Sequence, residues 1–182
     1  DLNCDTNNDG WPDINIDTNG DGICDVKCKN TSASDLSLIQ VNYKETNIVS
    51  IKNAVPVSDS EGISKGKKEI FEVYSDGSKV PSVNYKVNYT INIQEMNVGT
   101  KKLDKKYIKY RYTRKSSDGK TTTSAIGKLS DLRKVGNKYQ ILSTSQNKNI
   151  KDTYTFTFWI SSDAGNSEQG KSYTFAFKVD AT

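Results

Sequence analysis

Two copies of one oxygen-rich pattern lie twelve residues apart near the start of the chain. Asp5, Asn7, Asp9, Gly10 and Asp13 recur as Asp17, Asn19, Asp21, Gly22 and Asp25. Side-chain oxygens at positions 1, 3, 5 and 9 of a tight loop suit a hard cation, with Gly at position 6 permitting the sharp turn. The residue after Gly offers its backbone carbonyl, which here belongs to Trp11 and Ile23. Calcium accepts about six to eight oxygens at flexible geometry, whereas magnesium holds on to its waters, so Ca2+ is the expected ion. Its expected ligands are Asp5, Asn7, Asp9, Trp11 and Asp13 in one loop and Asp17, Asn19, Asp21, Ile23 and Asp25 in the other. Without a cation, so many carboxylates among so few apolar residues would repel one another, and metal binding would supply the folding energy.

Other chemistry is scarce. The chain has no His, which excludes Ser-His-Asp and Cys-His nucleophilic sites and any His-ligated zinc. No phosphate-cradling Gly loop and no pair of carboxylates in an expected cleft is present, so no catalytic residue is assigned and no enzyme activity is expected. All three cysteines, Cys4, Cys24 and Cys28, fall in the acidic segment. In an oxidising compartment one intrachain bridge can form: Cys4–Cys24 would staple the two loops, and Cys24–Cys28 would close a short ring. Spacing alone does not choose between them. Residues 1–28 hold seven Asp and one Lys, a balance of −6, whereas 29–182 hold 25 Lys and Arg against 15 Asp and Glu, a balance of +10. Such a split describes an acidic ion-binding segment joined to a basic body. No apolar run approaches the roughly 18 residues of a transmembrane helix, and a secreted protein whose targeting segment has been removed is expected.

The pattern must be held by loops and the body by strands. Residues 1–28 form the expected calcium-binding module, 29–34 a short polar linker, and 35–182 a β-sandwich domain. Beyond the linker the apolar residues are mostly Val, Ile, Tyr and Phe, and they alternate with polar ones. Strands are expected over 37–43, 47–55, 67–75, 83–94, 105–115, 138–144, 154–161 and 173–180, with SDSEG and SDGSKVPS as turns and SSDGKTT as a hairpin. In the two closing strands Phe156, Phe158 and Ile160 share one face, as do Tyr173, Phe175, Phe177 and Val179. One short helix is expected over 123–134, interrupted by Gly127. The expected fold class is all-β: an antiparallel β-sandwich with one short helix, plus a small loop-rich calcium-binding module; the family resemblance given below makes that sandwich jelly-roll-like. The strand at 105–115 interleaves Lys and Arg with Tyr, but strand alternation alone produces that pattern, and nucleic acid is not an expected partner.

The acidic loops begin like an EF-hand but lack its closing Glu and its flanking helices. They resemble the thrombospondin type 3 repeat, in which aspartate-rich loops follow one another around bound calcium; the resemblance covers 1–28. In that register Asp1 closes a loop whose beginning is missing, so the array is expected to continue upstream or to have been cut there. The closing stretch, "YTFTFWISSDAGNSEQGKSYTFAFKVDAT" (154–182), resembles the camelysin/TasA family of secreted bacterial matrix proteins through Asp163, Ala164, Gly165, Asn166, Gln169, Gly170 and Lys171. "KEIFEVYSDG…NYKVNYTINI" resembles the family's second block, and the similarity spans about 35–182. The family often has an aromatic before the Gln, where this chain has Glu168.

That resemblance implies a jelly-roll exported to the cell surface or biofilm matrix of a bacterium, whose copies join into extracellular filaments. An N-terminal strand of one subunit would complete the sheet of the next by donor-strand complementation. Leu36–Tyr43, or a stretch nearer the linker, is the candidate donor; the alternative is that Leu36–Tyr43 pairs within its own subunit. The metallopeptidase label of some camelysin relatives does not carry over, since this chain has no His. The expected function is thus a structural filament subunit with calcium-stabilised repeats, its partners other copies of itself and cell-surface or matrix polymers. The alternative is a monomeric calcium-dependent cell-surface adhesin or binding module.

Overall fold

The computed structural model describes residues 38–79, 84–96 and 101–182. The acidic repeats, the linker and the three cysteines lie outside the described residues. Within the unit Leu38–Thr182, one sheet runs in the order β1 (Ile39–Tyr43), β3 (Lys67–Ser75), β10 (Lys151–Ile160), β5 (Ile108–Ser116) and β6 (Thr121–Thr123), with β7 (Gly127–Lys128) also pairing on β5. The facing sheet runs β2 (Ile48–Ile51), β11 (Tyr173–Ala181), β4 (Lys86–Glu95), β9 (Lys138–Asn147) and β8 (Arg133–Val135). Every strand pair is antiparallel. From β1 to β5 each strand crosses to the opposite sheet, and β10 and β11 return to lie between earlier strands. The result is the antiparallel sandwich expected from the alternation, with a jelly-roll-like strand order.

The core follows from period-two placement. On β10, Tyr154, Phe156, Phe158 and Ile160 point inward and are buried, and on β11 so do Tyr173, Phe175 and Phe177. Phe71 and Phe156 each lie 5.0 Å from Phe177 across the sheets, and Phe158 meets Phe175 at 5.2 Å. Tilted and edge-on rings at these separations contribute about 0.5–1.5 kcal/mol per pair beyond the area they bury. Among the described residues no helix is long and apolar enough to cross a membrane.

The helix is not where the sequence pattern puts it. Residues 123–134 hold β7, a 3₁₀ turn at Leu129–Asp131 and β8. Leu129 is buried there, but Ile126 stays exposed, so no single helical face is covered. Gly127 lies against the Tyr110 ring, where a Cβ would come within 2.7 Å. A glycine weakens a short helix, and the open edges of β5 and β9 offer these residues backbone partners instead. The α-helix α1 (Asp59–Lys65) forms in the segment expected to be a turn. Ser58 caps it, its hydroxyl accepting from Glu61 N at 3.4 Å, and Asp59 and Glu61 occupy the first turn with Lys65 in the last. Ser-Asp-Ser-Glu is half of a capping box, with acidic and basic ends matched to the helix dipole. Strand β2 is also shorter than expected: it ends at Ile51, and Asn53 takes a left-handed φ of 55°.

Helix α1 covers Trp159, which points outward from β10. Gly62 packs on the indole so closely that any Cβ would overlap the ring. Asp59 fixes the contact: it accepts from Trp159 Nε1 at 3.1 Å and from Lys109 Nζ at 2.9 and 3.1 Å. The Lys109 hydrogen bond holds the Asp59 carboxyl below its ordinary range, with Trp159 N–H adding to it against the opposing effect of desolvation. A depressed folded pKa means the contribution is complete above the unfolded value of about 3.9 and is lost as pH falls below it. With Trp11 replaced by Phe, Trp159 emission is expected to shift to the red below pH ~4, and Asp59→Ala is expected to show that shift at neutral pH. An Asp59→Ala emission spectrum identical to that of the parent would show that Asp59 does not dock the helix.

Candidate functional site

The inward rows of four strands change character at one end of the sandwich. On β3 the row Phe71, Val73 closes with Ser75; on β5 Ile108, Tyr110, Tyr112 closes with Arg114. On β10 Phe158, Phe156, Tyr154 closes with Asp152, and on β9 Leu142, Thr144 closes with Gln146. Antiparallel pairing brings these ends together. Asp152 is wholly buried. Its Oδ2 accepts from Arg114 Nη2 at 2.6 Å, Gln146 Nε2 at 2.8 Å and the Tyr89 hydroxyl at 2.9 Å. Gln146 also donates to Val73 O at 3.2 Å and accepts from the Ser75 hydroxyl at 2.6 Å. Tyr89 and Tyr154 share a hydroxyl hydrogen bond of 2.7 Å. Burial above all pushes both phenols up, Tyr154 to about 12, so each remains a neutral donor. Asp152 Oδ1 and Arg114 Nε have no hydrogen-bond partner among the described residues.

Arg114 is the member of this network that reaches solvent. Its side chain is 23% exposed against 0% for Asp152. Nη1 donates to Thr144 Oγ1 at 2.8 Å and Nη2 also donates to Ser145 O at 3.2 Å. Burial disfavours its charge, but the Asp152 hydrogen bond and neighbouring groups outweigh that and raise its pKa. Above it opens a polar cleft of about 240 Å³, walled by Lys86 of β4, Ser116 of β5, Asp118 and Lys120 of the hairpin, Thr122 of β6 and Asn147 of β9. The hairpin is the one expected from SSDGKTT: Ser116 N bonds Lys120 O at 2.8 Å, and Gly119 takes φ +92°.

A second concavity, an apolar groove of about 420 Å³, opens between the edge of β2 and the start of β3. Ile51, Val57, Phe158, Trp159 and Ile160 line it beside the C-terminal end of α1. Strand β1 covers β3 only from Phe71 to Ser75.

Every expected calcium ligand, Asp5, Asn7, Asp9, Trp11, Asp13, Asp17, Asn19, Asp21, Ile23 and Asp25, lies outside the described residues. Among the described residues no group of three or more Cys, Asp or Glu is placed to hold a metal ion. Of the expected donor segment, Leu36 and Ser37 lie outside the described residues, and Ile39–Tyr43 pairs with β3 of its own chain, from Ile39↔Ser75 to Tyr43↔Phe71. The loop at 161–172 joins β10 to β11 at the end of the sandwich away from Arg114. Ala164 is buried, Gly170 takes φ +73°, and Lys171 Nζ pairs with Glu168 Oε1 at 2.9 Å. Glu168 Oε2 also accepts from Asp104 N at 3.1 Å, which ties the loop to the neighbouring segment. These residues hold the loop in place. Sequence reasoning missed Arg114, Asp152 and Gln146; the available signal was their parity, which puts each in line with an apolar inward row.

Comparison of the chain with family models and with curated proteins gives no match. Solved structures give slight likenesses. One is the TmCBM61 module in complex with β-1,4-galactotriose, at 9% identity and a TM-score of 0.25 over 80% of this chain and 90% of that one. Another is the family 32 carbohydrate-binding module of NanJ from C. perfringens in complex with galactose, at 13% identity and a TM-score of 0.24 over 76% of this chain and 100% of that one. Neither likeness bears on what this chain binds, and its sandwich architecture follows from its own strand order.

The Asp152 network has a measurable consequence. Asp152→Ala strands the partly buried guanidinium and is expected to cost about 3 kcal/mol in urea denaturation, while Asp152→Ala with Arg114→Met recovers most of it. A cost near zero for the single change would show that the pair does not anchor this end.

Proposed function

We propose that residues 38–182 are a non-catalytic binding module of a secreted or cell-surface protein, its ligand seated at the Arg114 cleft. The observation that carries this reading is a guanidinium held at the base of a polar cleft by a wholly buried carboxylate. A buried Arg–Asp pair is a poor stability device, because its desolvation offsets its attraction. Such a pair does hold a cation in one direction, and a concavity with a few oriented polar groups is the general form of a ligand site. The full chain is expected to bind saturably, as a monomer, to members of a panel of neutral and acidic glycans. Thr122→Trp, which fills the cleft from an exposed position on β6, should abolish that binding, whereas Val55→Trp in the groove region should leave it intact. No binding to any glycan, or equal binding by both variants, overturns the assignment.

The acidic repeats complete the proposal as a calcium-bound stalk, since their donor set is oxygen throughout. Calorimetric titration with Ca2+ is expected to give two or more sites, lost when Asp9→Ala and Asp21→Ala are combined. Normal binding by that double variant would reject the ligand assignment.

A second reading, a filament subunit joined to its own copies by strand addition, is favoured by the groove. The start of β3 beyond the reach of β1 and the edge strand β2 flank an apolar channel that an extended segment would fit. The camelysin/TasA resemblance points the same way. Growth of the scattering mass on standing with calcium, blocked by Val57→Glu, is the outcome this reading requires; a chain that stays monomeric over days removes it.

A further inference from the structure

We propose that the Arg114 cleft takes an acidic polysaccharide, recognising carboxylate or sulfate groups on the polymer; this rests on the binding-module reading and names its ligand's chemistry. Charge is the first reason. Lys86, Arg114 and Lys120 line the cleft against one carboxylate, Asp118. Asp118 is already held by Lys120, at 3.2 Å to its ammonium and 3.1 Å to its backbone N–H. Asp152 balances Arg114 from behind. Lys86 has no ion-pair partner among the described residues, which leaves the cleft with an uncompensated positive charge.

The geometry of Arg114 is the second reason. Its five N–H groups make three hydrogen bonds, to Thr144, Ser145 and Asp152. Nη2 is used twice and Nε is buried, so one Nη1 proton remains to meet an incoming oxygen. The guanidinium is already oriented by its three acceptors, and little further ordering is needed on binding.

Shape and surface decide between polymers. An adjoining shallow concavity of about 450 Å³ shares Lys86 and Asn147 with the cleft and is lined also by Tyr85 and Lys148, so the two lie side by side as sites for successive units of a chain rather than for a single ion. Among the described residues no aromatic ring lines the cleft itself, and the adjoining concavity has only Tyr85, whose hydroxyl is engaged with Asp76 O at 2.7 Å. Single-stranded nucleic acid is gripped by successive aromatic platforms as well as by cations, so this surface favours a saccharide. Ser116, Thr122 and Asn147 supply hydroxyls and an amide of the kind that pair with sugar hydroxyls.

The test uses the full chain at fixed calcium and ionic strength, titrated with alginate, dextran sulfate, neutral dextran and oligo(dT). Alginate and dextran sulfate separate the carboxylate from the sulfate source. Two charge-reversed variants of equal net charge are compared: Lys86→Glu with Lys120→Glu in the cleft, and Lys101→Glu with Lys134→Glu towards the opposite end of the sandwich. Thermal melts check that both remain folded. Binding to at least one acidic polysaccharide is expected, weakened about tenfold or more by the cleft variant and less than about threefold by the distal one. Equal weakening by both variants would reduce the effect to unspecific charge and overturn the inference, as would tighter binding to oligo(dT). Binding to neutral dextran alone would overturn the acidic ligand while keeping a saccharide-binding module. Binding to none of the four, together with an empty glycan panel, would remove the module reading itself.

Discussion

The register of β10 is the constraint on which the rest of the structure depends. It is the central strand of its sheet, paired along nearly its whole length with β3 on one side and β5 on the other. Its alternation sends Phe158, Phe156 and Tyr154 into the core and Thr155, Thr157 and Trp159 out. A slip of one residue would exchange those faces, putting hydroxyls against Phe177 and phenyl rings into water. The aromatic contacts with Phe175 and Phe177 therefore do more than bury area: they set which residues of every neighbouring strand face each other.

The polar end of the sandwich inherits that setting. Asp152 belongs to the same inward row as the three aromatics, so the packing that holds Phe156 also commits a carboxylate to the interior. Once there it must be paired, because an uncompensated charge in a low-dielectric interior costs several kcal/mol, on the order given for buried ions. Arg114 and Gln146 arrive on the same terms, at inward positions of β5 and β9, and Tyr89 reaches across from β4. The outcome is a cation whose position is determined by the core although its far side faces solvent. At the other end, Glu168 ties the β10–β11 loop to the segment at Asp104, and Asp59 ties α1 to the outer face of β10 and β5 through Trp159 and Lys109.

Much of the sandwich was legible in the sequence because its strands are amphipathic with a strict period of two. β3, β5 and β11 fall close to where alternation places them, and so does the hairpin at 116–122, whose Asp-Gly marks the turn. Misreadings arose where two signals competed. The residues at 123–134 have helix-like apolar spacing at Ile126 and Leu129, but Gly127 sits against Tyr110, and strand edges were within reach. At 58–62 the turn-forming residues Ser, Asp and Gly concealed a capping Ser with Glu three positions on, and Gly62 proved to be needed for contact with Trp159 rather than for a turn. The candidate site was much less legible. Nothing local distinguishes Arg114 from the outward-facing Arg111 or Lys109 of the same strand except parity, and parity becomes informative only once the inward face is known.

By itself the sequence determined the two kinds of chain present, an acidic repeat with an oxygen donor set and a basic body of alternating strands. Both are local properties: twelve-residue periodicity and period-two hydrophobicity need no partner to be recognised. Only the tertiary structure decided which strands became neighbours, and with that which polar residues met. Ser75, Arg114, Gln146 and Asp152 are separated by up to 77 positions in the chain, and no local preference links them. They meet because hydrogen bonding between antiparallel strands and the fit of aromatic side chains between sheets are long-range conditions, satisfied by the chain as a whole.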